Sequence, residues 1–222
     1  MRAGCTAQTP ASKQRSRTHD RLPRQQSADP RPYHARAADQ AATLIAAVGP
    51  GRFDDPTPCD EWDVRALLGH IVDATRRFAR LGEGGAGTAM DAPAVPTGIP
   101  DDSAAWAEAY ASARAGLTAA WADDALLDAA YTLPWGEVPG RAALSGLVLD
   151  TVTHTWDLAE ALGGEHVRTL DPELAEYALA VAHRAVPAER RGGPTPFAPV
   201  REAPEGADAY GRLAAWLGRE AG

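Results

Sequence analysis

Asp150 and His154 stand four residues apart in a stretch whose other positions at helical spacing, Leu147, Leu158 and Ala161, are apolar. Residues i and i+4 of a helix share a face one turn apart, so a carboxylate and an imidazole placed there can grip a common atom. His70 interrupts a second apolar stripe in the same way, between Leu67 and Ala74. Burying an unpaired carboxylate is costly, and coordination to a cation offsets that desolvation. Two histidines and one carboxylate recur as a ligand set for catalytic zinc or non-haem iron and leave positions open for water or substrate. Each piece alone has a plainer reading. A single histidine on an apolar face is commonly a satisfied core residue, and an Asp-x3-His pair serves equally well as a hydrogen-bonded brace.

Other reactive side chains carry less. Cys59 has no base fixed beside it in sequence, and a buried cysteine behaves as a small hydrophobe. Asp157, three residues after His154, is placed either to accept a hydrogen bond from a ligand imidazole or to sit in solvent. Trp62 and Trp156 are either pocket walls or core. Arg76 and Arg77 either receive an anionic group or form a wet face. His19, His34, His166 and His183 lack partners at ligand spacing.

Helices must position these groups. An alanine-rich segment from Tyr33 to about Val48 ends at Gly49-Pro50-Gly51. Asp63 stands as an N-cap before a helix to about Leu81, with Val64, Leu67, Leu68, Ile71, Ala74 and Phe78 inward. Residues 82–100 read as a Gly/Pro-rich loop, and a third helix follows from about Ser103 to Ala122 with Trp106, Tyr110, Ala113, Leu117 and Trp121 on its core face. Tyr131–Gly140 reads as a turn or short extended piece. The fourth helix, about Arg141 to Leu162, presents Asp150 and His154 and stops at Gly163-Gly164. Asp171-Pro172-Glu173 starts a fifth that ends before Pro187, and a short last helix spans Ala207 to Arg219. The expected fold is an all-α bundle of four or five long helices.

The chain has 222 residues and a formal net charge of −8, unevenly distributed. Residues 1–36 hold eight Lys or Arg against Asp20 and Asp29, so that segment is near +6 and the rest near −14. Residues 1–32 read as a disordered basic leader without the apolar core of a signal peptide, and residues 33–222 as the folded domain. An acidic body argues against nucleic acid as the main partner, and no apolar run approaches the length of a membrane helix. Cys5 and Cys59 offer no disulfide framework, so a reducing, cytoplasmic compartment is expected. Arginine outnumbers lysine 21 to 1, the bias of a high-GC genome.

At these residues the chain resembles a known family. Thr57-Pro58-Cys59-Asp60-Glu61-Trp62-Asp63-Val64-Arg65-Ala66-Leu67-Leu68-Gly69-His70 resembles the opening signature of the mycothiol-dependent maleylpyruvate isomerase-like family, within the DinB-like superfamily. Leu133–Gly140, Asp150–Ala159 and the closing Arg212–Arg219 continue the likeness in order. The resemblance implies a DinB-like four-helix bundle with a short C-terminal extension, holding one divalent metal on His70, Asp150 and His154. Zinc is the first expectation, with iron or nickel as alternatives. The isomerase itself has Glu where this chain has Asp150. The resemblance further implies a thiol-dependent, mycothiol-type transferase or isomerase acting on a small molecule, as a monomer or homodimer, in an actinobacterial cell. The alternative is a metal-binding or ligand-sensing bundle without turnover.

Overall fold

The computed structural model describes residues 29–59, 62–85, 98–191 and 197–220. The expected leader therefore falls almost wholly, and the expected loop at 82–100 largely, outside the described residues. Among the described residues, the fold is a bundle of four long helices, α1 (Arg31–Ala46), α2 (Val64–Gly82), α3 (Ser103–Ala120) and α5 (Gly140–Leu162). α2 packs on α3 and on α5, while α1 packs on α5 and on α3, closing a ring of four. A one-turn α4 (Ala125–Asp128) and a hairpin of β1 (Ala130–Leu133) and β2 (Gly136–Pro139) connect α3 to α5. Beyond α5 follow a one-turn α6 (Gly164–Val167), then α7 (Pro172–Ala185) and α8 (Ala209–Trp216), which pack on each other and on α5.

Helix starts follow side-chain chemistry. Asp63, Asp102, Asp171 and Asp208 each accept a hydrogen bond from a first-turn N–H of α2, α3, α7 and α8, replacing partners the helix itself lacks. α5 ends at Gly163, whose φ of +122° few other residues adopt. The 131–140 segment is the expected short extended piece, resolved as an antiparallel hairpin pairing Ala130 with Pro139 and Leu133 with Gly136.

The aromatic stripe of α3 lies in the core as expected, with Trp106, Tyr110, Ala113 and Leu117 buried and Trp121 just beyond its end. Around the middle of the bundle, Leu67, Leu68, Tyr110 and Leu158 pack in one cluster, while Phe78, Leu117, Trp121 and Leu144 form a second toward the hairpin. The fourth long helix departs from a simple inward face. Every residue from Thr151 to Ala159 is buried, because α7 and α8 cover the side of α5 that a four-helix bundle alone would leave wet.

Candidate metal centre

α2 and α5 bring the three sequence-selected side chains together. His70 Nε2 lies 3.0 Å from Asp150 Oδ1 and 3.3 Å from Oδ2, and His154 Nε2 lies 3.5 Å from the same Oδ1. One donor atom from each residue falls within 4.8 Å of the other two. Donors held by one ion at bonds of about 2 Å stand roughly 3–4 Å apart, so small side-chain movements suffice to close this set on a cation. His70 Nε2 hydrogen-bonds the Asp150 carboxylate, and His154 Nε2 lies in ion-pair range of the same oxygen.

The surroundings define what each group can do. His154 Nδ1 donates to Asp157 Oδ2 at 2.9 Å, which leaves Nε2 as the nitrogen facing Asp150 and His70. Asp157 has no exposed surface, and Arg219 grips it with two donors, Nε to Oδ1 at 2.6 Å and Nη2 to Oδ2 at 2.8 Å. Of the two sequence readings of Asp157, the structure thus places it behind the imidazole and out of solvent. Burial by itself would raise the Asp150 carboxyl, but His70 and His154 outweigh it and hold the group well below the usual carboxylate range. Burial by itself would lower His154, but Asp150 and Asp157 push it up to about 9.

Thr57, Cys59 and Trp62 are tied to one another beside the site, and the start of α2 to Asp55 and Phe53. Thr57 Oγ1 accepts from Cys59 N and donates to the Trp62 carbonyl, and Val64 N and Arg65 N donate back to Asp55 and Phe53. The Trp62 ring is thereby laid over both imidazoles, with centroids 4.6 Å from His70 and 5.3 Å from His154. Trp62 is a wall of the site, whereas Trp156 is buried on another side of α5, away from the triad.

Sequence spacing puts no base beside Cys59, and the fold corrects that. Its thiol joins His154 and Asp157 in a second group of ligand-type atoms within 4.8 Å of one another. Both Asp157 oxygens there are already taken by Arg219 and His154, so the His70–Asp150–His154 group is the better cation cage. Arg77 is neither a wet face nor an open anion receptor: its side chain is 10% exposed and donates to Asp73. A cavity of about 390 Å³ lies on another side of α5, lined by Trp156, Glu160, Val167 and Asp208 rather than by the triad. Arg219 is the residue the sequence did not single out for the site. It lies 62 positions from Asp157, and no spacing rule links them.

The donor set, with a second carboxylate behind one imidazole, fits a divalent cation. Fold and site together define a DinB-like helical bundle with a histidine–carboxylate cluster between two of its helices. The chain belongs to the mycothiol maleylpyruvate isomerase N-terminal domain family, whose sequence model matches residues 34–159. The uncharacterized protein Rv0738 of Mycobacterium tuberculosis is 36% identical over 191 residues, covering 86% of this chain and 98% of that protein. A second uncharacterized protein of that organism, Rv0036c, is 31% identical over 186 residues, covering 73% of this chain and 72% of its own. No solved structure matches the chain. No described helix is long and apolar enough to cross a membrane.

Proposed function

We propose that His70, Asp150 and His154 hold a divalent metal, zinc in the first instance, and that the protein is a cytoplasmic, thiol-dependent transferase or isomerase taking a low-molecular-weight thiol of the mycothiol type. The observation that carries the reading is the meeting of His70 Nε2 and His154 Nε2 on one carboxylate. Family membership supports the thiol part. A bound cation with an open position would lower the pKa of a thiol or water there, supplying a nucleophile at neutral pH. The protein's own residues do the rest. His70 and His154 would present their Nε2 nitrogens to the cation, Asp150 would supply negative charge, and Trp62 lies against both imidazoles.

Elemental analysis of purified protein beside His70→Ala and His154→Ala tests the metal. About one equivalent is expected in the parent and little in either variant, and equal content in all three removes the metal from the reading. Metal-loaded protein is then offered mycothiol with an electrophile or a maleylpyruvate-type substrate. Consumption of the thiol, or isomerisation that depends on it, is expected. Metal-loaded protein that neither binds nor uses the thiol is a binding bundle rather than a thiol enzyme.

A further inference from the structure

Asp157 is completely buried, and its three hydrogen bonds come from two directions: one from His154 on its own helix, two from Arg219 near the other end of the chain. Arg219 lies past the end of α8, and its backbone is fixed there. Its N–H donates to the Ala214 carbonyl at 2.9 Å. The preceding Gly218, at φ +84°, makes a turn in which a Cβ would come within 2.7 Å of Ala198 and 2.9 Å of the Pro199 carbonyl. Arg201 Nε donates to the Gly218 carbonyl at 2.8 Å, tying the turn to the segment before α8. The guanidinium delivered by this turn is 12% exposed.

A carboxylate gripped by one donor can swing about its Cβ–Cγ bond; one gripped by the two-donor fork of an arginine has its plane fixed. Fixing that plane fixes the oxygen that accepts from His154 Nδ1. That in turn fixes the imidazole plane and keeps Nε2, not Nδ1, turned to Asp150 and His70. We propose that Arg219 is a positioning residue of the metal centre, acting through Asp157 to hold His154 in its ligating orientation, so that the C-terminal segment completes a site whose ligands all lie on α2 and α5. The inference rests on the metal reading given above and goes beyond it by adding a residue from a third part of the chain.

The test compares the full-length parent with Arg219→Lys, Arg219→Gln and the double variant Asp157→Asn/Arg219→Gln, which removes both charges and so leaves none buried alone. Zinc affinity is read by competition with a chromophoric chelator, ligand geometry by the visible absorption of the Co(II)-loaded proteins, and folding by circular dichroism. Loss of a partner behind a metal-bound histidine typically weakens metal affinity about 10- to 100-fold, and that loss is expected in Arg219→Gln and in the double variant, with shifted Co(II) bands and parental helix content. Arg219→Lys, which keeps the charge but loses the fork, should fall between them and the parent. Parental affinity and spectrum in either folded Gln-bearing protein overturns the inference, as does a loss no larger than the loss of helix signal. A parent that binds no zinc overturns the metal reading itself, and this shows before any variant is compared.

Discussion

His34 and His154 are both imidazoles buried on apolar helix faces of one bundle, and their neighbours push them in opposite directions. Asp150 and Asp157 flank His154 and raise it against burial to about 9. His34, on α1, has no hydrogen bond at Nε2 among the described residues, and burial, with Arg114 adding a smaller push, lowers it to about 4. The ordinary imidazole value is 6.5, so on acidification the unfolded chain takes up this proton first. His34 therefore costs nothing above about pH 6.5 and lowers stability progressively as pH falls toward 4. Between pH 7 and pH 4.5 the shift amounts to ~2–3 kcal/mol. Urea denaturation at the two pH values should show the parent losing more stability than His34→Leu by about that amount, and equal losses would contradict the assignment. The pattern of residue types marked His154 as facing inward and set His34 aside for want of a partner at ligand spacing. What separates them is the pair of carboxylates on His154's own helix, Asp150 at i−4 and Asp157 at i+3, both visible in the chain itself.

The start of α5 depends on a position without a side chain. Gly140 is the first residue of that helix, and a Cβ there would lie 2.0 Å from the Leu126 carbonyl and 2.9 Å from the Trp121 ring. Gly146, two turns on, has nothing within 4 Å of its Cβ position. Gly140→Ala should lower stability by about 1–3 kcal/mol or more, since backbone must move to admit the methyl. Gly146→Ala should raise it by about 0.5–1 kcal/mol through helix propensity alone. Thermal melts of the two variants should shift in opposite directions. At this scale the long helices were legible because caps and periodicity agree, as at Asp63 with Val64, Leu67 and Ile71. α4 and α6 were not, since four residues are too few to display a period. Nor was the covering of α5: Thr151, Thr153 and Thr155 are polar in type, yet all three are buried, with Thr155 Oγ1 donating to the Thr151 carbonyl. The Arg219–Asp157 pairing was likewise beyond the sequence, because it depends on how α8 docks rather than on any local pattern.

For the whole molecule, a cation held by residues of both α2 and α5 binds the folded chain and not the unfolded one. Zinc at a hundred times its dissociation constant should then stabilise the protein by ~2.7 kcal/mol. Calorimetry with zinc and with excess chelator should show the melting temperature rise and return, while His154→Ala melts at one temperature under both conditions.

Two of the three ligands stand on or beside the stretch of α5 that is buried on every side. Such a segment has no solvent-facing edge from which to fray, so the amides of Thr151–Ala159 should exchange with deuterium only when the entire chain opens. The turn carrying Asp150 and His154 then survives every partial opening of the molecule, and the relative placement of these two donors is among the last features lost.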